Sequence, residues 1–491
     1  MNRRTAIITA IPTAVALLLA AGLRFWASWD DFWLDEIWTW VLVQQQVSSW
    51  LNVLLVLTHE NNHFLNTWWI FALGPDVDWR WYRVPPVLLG VGTVLLLRRA
   101  AADSGPVGVW VVTVLTVPSY LLVHYSSEAR GYAYFLFFAV GAYLLLKKTL
   151  PPIQATSQST AVRPPRWPWI VVLFGMCCIA GCLGHPAFLL VYVALCGWAT
   201  VRIGRMRWRW DEKPAVLIQL FLIPTLGLGA LWVLNLSEMV NGGGPSGEPF
   251  LVAIETLSLM VGGPQSGPAA MVIGGLVAVA VGTELILLAR AGDDRWVFWL
   301  GVTVGPLLLI LVTQRKEVYP RYYLGAVVFL YLVLAHLASR GVKRGRAGQI
   351  AVIALCALIT LGNGLHLARL FEFGRGHGLA MVRWIDSQTI GPQLVISSDQ
   401  DFRHSMLLNY YSTRMKSGKP VVFVPTARLA TETPEWLLTH SFQGDWTPEP
   451  QIDLGEKRYR LARVFRYAGL SGWHTAVYRI DLSDTKAARN L

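Results

Sequence analysis

Eleven stretches of this chain are apolar enough and long enough to cross a bilayer as helices. They cover residues 5–23, 84–97, 107–123, 132–146, 168–183, 187–203, 214–236, 269–288, 296–312, 322–338 and 350–367. Inside hydrocarbon a backbone must satisfy its own hydrogen bonds, so each run has to be helical. The fold class that follows is a polytopic α-helical membrane protein. The composition agrees, with 54% of 491 residues hydrophobic and 15% charged. The first run sits behind Arg3 and Arg4 and reads as an uncleaved anchor, although a signal cleavage near Ala20–Ala21 has the right residues.

The chain carries 42 Lys and Arg against 30 Asp and Glu. These basic residues occupy short loops between apolar runs, which is the cytoplasmic-loop pattern and excludes nucleic acid as a partner. With the N-terminus inside, the inner loops hold Arg98/Arg99, then Lys147/Lys148/Arg163/Arg166, then Arg202/Arg205/Arg207/Arg209/Lys213. Arg290/Arg295 and Arg340/Lys343/Arg344/Arg346 complete the set, while loop 237–267 has no Lys or Arg and reads as outer. The expected location is the cytoplasmic membrane, with membrane lipids around the chain. The stretch 64–73 is too short to span, so with 37–57 it reads as helices on the outer surface.

An odd number of spans places the C-terminus outside. The domains read as a membrane part, 1–370, and an extracytoplasmic α/β domain, 371–491. In the latter, QLVISSD and KPVVFVP read as strands, FRHSMLLNYYSTRM as a helix, and YRLARVFRYAGLSGWHTAVYRID as a hairpin turned at 469–472. Residues 151–165 look like a low-complexity loop. All five cysteines lie in apolar runs without metal-ligand spacing and read as small core residues.

Four outer clusters are unexplained by a membrane anchor. The first loop, RFWASWDDFWLDEIWTW, crowds Asp30, Asp31, Asp35 and Glu36 among tryptophans. Carboxylates beside a bilayer are costly to keep charged, and desolvation suits a general base. HYSSEARGYAY carries Glu128 and Arg130, and TQRKEVYPRYY carries Arg315, Lys316 and Arg321 with Tyr322. Cations on the outer side run against the topological trend and suit a lipid phosphate. GCLGHPAF places His185 at the outer end of a span. The bland readings are an interfacial loop, a Glu–Arg pair satisfying itself, snorkelling cations and a helix-end histidine. The convergence of all four clusters on one side favours function.

The stretch HENNH, His59 to His63, matches the zinc-protease pattern H-E-x-x-H. That chemistry needs both histidines on one helical face within a span and a later acidic ligand. Asn61 and Asn62 favour turns, and Asp-Gly occurs nowhere in the chain. A weaker expectation remains that His59, Glu60, His63 or His185 lines an acceptor site or holds a divalent cation.

Taken in order, these clusters resemble the C-type membrane glycosyltransferases that use polyprenyl-phosphate sugars, such as protein O-mannosyltransferases and lipid A aminoarabinose transferase. WLDE matches the family's acidic pair with Asp35 and Glu36, and NNHFLN matches only the histidine of its His-Pro-Pro-Leu motif. YRVPPVLLG is similar to its Arg-Leu-Pro-Ser-like span start. SSEARGYAY resembles its Gln-Glu-Ala-Arg-Pro-Tyr segment, with Gly131 replacing proline, and PRYYLGAVVF its late Arg-Tyr start. The resemblance covers roughly residues 1–370. It implies an inverting hexosyl or pentosyl transfer from a polyprenyl-phosphate donor to a glycan, lipid or protein acceptor outside the cytoplasm. It implies Asp35, with Glu36 second, as the base. Arg321, helped by Lys316 or Arg315, would hold the phosphate, and Arg130 or Glu128 would orient the donor. A lipid or sugar transporter or flippase is the alternative; it should show paired halves with broken helices at the midplane, and no such symmetry is legible.

Overall fold

The computed structural model describes residues 3–150, 168–206 and 212–481, except 241, 244, 245 and 416. The loop 151–165, with Arg163 and Arg166, and the basic residues Arg207 and Arg209 lie outside the described residues. The chain divides into two compact units: Met1–Ser28 with Leu42–Leu365, and Trp29–Val41 with His366–Leu491.

The first unit is helical. Ten of the eleven apolar runs each coincide with one long helix, from Arg3–Ala27 to Arg346–Phe373. The run 107–123 is instead two helices, Gly105–Thr116 and Tyr120–Tyr125. Pro118 has no N–H to continue the first, and Ser119 caps the second by accepting from the Leu122 N–H. A further apolar helix, Pro249–Met260, lies in the loop read as outer; at 12 residues it falls short of a span. Among the described residues, seven helices are long and apolar enough to cross a membrane.

These helices expose apolar side chains outward, such as Val193 (67%), Val233 (75%) and Val279 (67%). An outward apolar surface is what a helix needs against lipid. Inward, Tyr143, Trp198 and Phe298 pack as stacked rings with Phe329 edge-on. At one end of the bundle the charges neutralise one another. Lys147 and Arg295 both meet Asp103, and Arg202 binds Asp294 at 2.8 Å. All three cations belong to loops read as inner. The helix Tyr132–Thr149 has 18 residues and is therefore about 27 Å long. Tyr132 thus stands at the opposite end from Lys147, as does His185 relative to Arg202 and Arg315 relative to Arg295.

The second unit is built on a six-stranded sheet of order β2-β1-β3-β6-β5-β4. The strands are β1 (Leu394–Ser398), β2 (Val421–Val424), β3 (Trp436–Ser441), β4 (Gln451–Leu454), β5 (Lys457–Phe465) and β6 (His474–Ile480). β1 runs parallel to both β2 and β3, with the helix Asp401–Ser412 as the β1–β2 crossover. β5 and β6 form the expected hairpin, irregular at Leu461/Arg463. The strands β3 and β4 and the helix Gly378–Gln388 are additional to the sequence reading.

The segment Trp29–Val41 is bound tightly into this second unit. Asp30 accepts from the Arg375 backbone N–H at 2.7 Å and from its guanidinium at 3.1 Å. Asp31 accepts from the Leu379 N–H at 2.8 Å, in the first turn of the helix Gly378–Gln388, where a carboxylate also complements the helix dipole. Tyr411 donates to the Phe32 carbonyl at 2.6 Å. Gly374, at φ +52°, makes this approach possible, because a Cβ there would lie 2.2 Å from Asp30 Oδ1.

Candidate active site

Three separated stretches of the first unit meet at the end of the bundle opposite the Asp103 network: 58–67, 124–132 and 315–322, joined by His185. The loop after the helix Glu212–Leu234 stitches two of them together. Val240 donates to the Thr58 carbonyl and accepts from the Glu60 N–H, and Gly247 donates to the Lys316 carbonyl at 2.9 Å. This backbone lacing explains how Glu60 and Arg315, 255 residues apart, come within 2.8 Å.

The cations sit among aromatic rings and amides. Arg315 lies over Tyr322 at 4.9 Å, and Arg321 over Tyr319 at 4.0 Å. Arg130, buried, bonds Asn61 Oδ1 at 3.1 Å and stacks over Tyr132 at 4.9 Å. A guanidinium stacked on an aromatic ring gains a cation–π contact through its face and makes planar hydrogen bonds through its edge. Glu128 is fully buried and meets His124 Nε2 at 3.1 Å, one helical turn back. Glu128 therefore already has a local partner. Lys316 is exposed and enters the lacing through its carbonyl.

The imidazoles of His63 and His185 stack at 5.0 Å and 24°, with Tyr132 beside both. Burial first, then the charges of Arg130, Arg321 and Arg315, lowers the His185 pKa to about 3. Burial, with His185, Arg130 and Arg321 adding, likewise lowers His63 well below its usual value. Both rings are neutral at physiological pH, so they can donate and accept hydrogen bonds without adding charge.

The H-E-x-x-H segment is not a helix. His59 forms a bridge with Val240, and its Nδ1 accepts from the Asn61 N–H at 3.1 Å. Glu60 is paired with Arg315, and His63 precedes the first turn of the helix Phe64–Leu73. The zinc-protease arrangement on one helical face is thus not formed. Among the described residues no three His, Cys, Asp or Glu side chains come together as metal ligands.

Gly131, which stands where the related pattern has proline, is required by its neighbour. A Cβ at Gly131 would fall 1.7 Å from the Gly184 carbonyl oxygen and 2.9 Å from His63 Cβ. The two glycines let the 124–132 turn lie directly on the turn that carries His185. Gly131→Ala is expected to destabilise the first unit by about 1–3 kcal/mol, since backbone would have to move. Thermal unfolding in detergent measures this; an unchanged midpoint would show that the contact is not close.

Asp35 and Glu36 belong to the second unit and differ from each other. Glu36 is fully buried, and its Oε2 accepts from the Trp33 N–H at 3.2 Å, half of a capping box for the helix Leu34–Gln46. Asp35 lies in the same first turn but is partly exposed. Sequence reasoning named the charged members of both groups. It missed Asn61, His124 and Tyr319, which hold them; only the four-residue spacing of His124 and Glu128 was a readable signal.

The same fold is found in the crystal structure of ArnT from Cupriavidus metallidurans in the apo state. The TM-score is 0.50 at 12% identity, covering 88% of this chain and 93% of that one. The structure of that ArnT bound to undecaprenyl phosphate matches with a TM-score of 0.51 at 10% identity, over 98% and 99%. The chain has the ArnT fold. This is the fold expected from the resemblance to C-type membrane glycosyltransferases. No family model matches the chain, and no curated protein matches it in sequence. At these identities ArnT speaks for the fold alone, and the chemistry has to come from this chain's own residues.

Proposed function

We propose that the protein is a membrane glycosyltransferase that moves a sugar from a polyprenyl-phosphate donor to an acceptor on the extracytoplasmic side. One observation carries the reading: Arg130 on Asn61 and Arg315 on the adjacent Glu60 gather with Arg321, which lies over the same Tyr322 ring as Arg315, at one end of a helical bundle. Such a group suits a phosphate at a membrane surface. It is supported by a fold shared with an ArnT whose structure holds undecaprenyl phosphate.

In this reading the acceptor oxygen attacks the anomeric carbon from the face opposite the phosphate, and the bond from that carbon to the phosphate oxygen breaks. Polyprenyl phosphate leaves with the electron pair, stabilised by Arg321 with Arg315, and Arg130 orients the donor. The acceptor hydroxyl gives its proton to Asp35. Because the leaving group is already a phosphate, no strong general acid is needed. Attack from the opposite face inverts the anomeric centre. Glu36 is second to Asp35, since its carboxylate is buried and serves its own helix.

The test is transfer of label from a polyprenyl-phosphate hexose into envelope material, in membranes with and without the protein. Equal incorporation would overturn the reading. Sidedness has its own check. A tag after Leu491 is expected to be protease-accessible from outside the cytoplasmic membrane, and a tag within 151–165 protected. A protected C-terminus would contradict the assigned orientation.

A further inference from the structure

The place of Asp35 is set by residues from the far end of the chain. Asp35 lies in the first turn of the helix Leu34–Gln46, and that helix is held on both sides of it. Before it, residues 30–32 are hydrogen-bonded into 375–411. Asp30 accepts from the backbone and guanidinium of Arg375, Asp31 from the Leu379 N–H, and the Phe32 carbonyl from the Tyr411 hydroxyl. After it, Trp38 packs against Phe402 at 4.7 Å, and Trp40 packs edge-on against Tyr410 at 5.3 Å. Phe402, Tyr410 and Tyr411 all belong to the helix Asp401–Ser412.

Both grips lead back to the six-stranded sheet. The helix Asp401–Ser412 is the crossover between β1 and β2. Arg375 is buried, and the Gly374 carbonyl just before it accepts at 3.0 Å from the N–H of Ala468, in the turn that joins β5 to β6. A carboxylate on an untethered loop samples many positions, whereas one on a helix tied to a sheet keeps one. A general base needs that precision, because it has to meet the acceptor proton within hydrogen-bond reach. A misplacement of about 1 Å costs roughly a hundredfold in rate. The same bonds sort the four acids of the first loop. Asp30 and Asp31 tie the segment to the sheet domain, Glu36 caps its own helix, and Asp35, partly exposed, is the carboxylate they surround.

We propose that the second unit is the base-bearing module of the transferase, with Asp30, Asp31, Arg375 and Tyr411 as positioning residues for Asp35. The proposal rests on the transferase reading above. It gives the C-terminal sheet domain a role in the chemical step: the domain sets where the acceptor's proton goes, while the donor phosphate is assigned to arginines of the first unit.

The test uses the full-length protein. Tyr411→Phe deletes one hydroxyl and keeps the ring, and Asp31→Ala deletes the acceptor for the Leu379 N–H. At matched melting midpoint, each is expected to lower label transfer from a polyprenyl-phosphate hexose about tenfold or more. Affinity for undecaprenyl phosphate in nanodiscs should stay within about twofold. Asp31→Asn, whose Oδ1 still accepts, should rescue most of the loss seen in Asp31→Ala. Tyr411→Phe carries the test if Asp31→Ala does not fold. The decisive arm adds each substitution to Asp35→Asn and follows the residual transfer over long incubations. Residues that act through Asp35 should cause no further loss in that background. A further tenfold loss there, a fall in undecaprenyl phosphate affinity in step with transfer, or full transfer in the single variants would overturn the positioning role. Transfer that survives Asp35→Asn undiminished would overturn Asp35 as the base, and the positioning with it. Absence of transfer by the unsubstituted protein would instead overturn the transferase reading.

Discussion

Asp35→Asn is expected to reduce transfer by about a hundredfold to ten-thousandfold while leaving the protein folded, because it removes a proton acceptor and keeps the shape. The first turn of Leu34–Gln46 separates the two neighbouring carboxylates. Glu36 is buried and accepts its own helix's Trp33 N–H, so Glu36→Gln should keep an acceptor there and cost little activity. Thr39 Oγ1 bonds the Asp35 backbone carbonyl at 3.0 Å, a contact that the Asp35→Asn side-chain change leaves in place. Transfer rate in membranes, at matched protein level and matched melting midpoint, measures the effect. A profile in which Glu36→Gln stops transfer and Asp35→Asn does not would reassign the base.

Arg321→Ala is expected to lower transfer efficiency by about a hundredfold or more, on the scale of losing one preorganised donor to a developing anion. Its guanidinium packs over the Tyr319 ring at 4.0 Å, and a guanidinium can bind a phosphate through two parallel bonds. Arg321→Lys loses both the stack and the fork, and should recover only a small part. Lys316→Ala should do less, because Lys316 is exposed and joins the site through its backbone carbonyl. Arg315→Ala has a mixed effect, since it also leaves Glu60 without its partner at 2.8 Å. If the contact strengthens as the leaving phosphate gains charge, turnover should fall together with donor affinity. Rate against donor concentration in nanodiscs separates the two; normal affinity and turnover in folded Arg321→Ala would place the phosphate elsewhere.

Apolar length was legible because a span has to be long and nearly uncharged, and all but one of the long runs became a single helix. The break in 107–123 was hidden by the same signal, since Pro118 sits among apolar residues that look continuous. The helix Pro249–Met260 was missed because 12 residues are ambiguous between a buried helix and a loop. The hairpin of β5 and β6 was local and readable, whereas β3 pairs with β1 and β6 across long separations that no short pattern reports. The place of Asp30 was unreadable for the same reason, since its partner Arg375 is 345 residues away. The arginines gathered at this end of the bundle were visible as cations in loops read as outer. Asn61 among them was not, because it looks like an ordinary turn residue until its partner Arg130 is known.

In the proposed function the arginines at the end of the bundle hold a lipid phosphate. An experimental structure of the protein in nanodiscs saturated with undecaprenyl phosphate tests it most directly. Phosphate density is expected within hydrogen-bonding distance, about 3 Å, of the Arg321 guanidinium, and is expected to be lost in Arg321→Ala. Phosphate density away from Arg130, Arg315 and Arg321, or density that persists unchanged in Arg321→Ala, would contradict it.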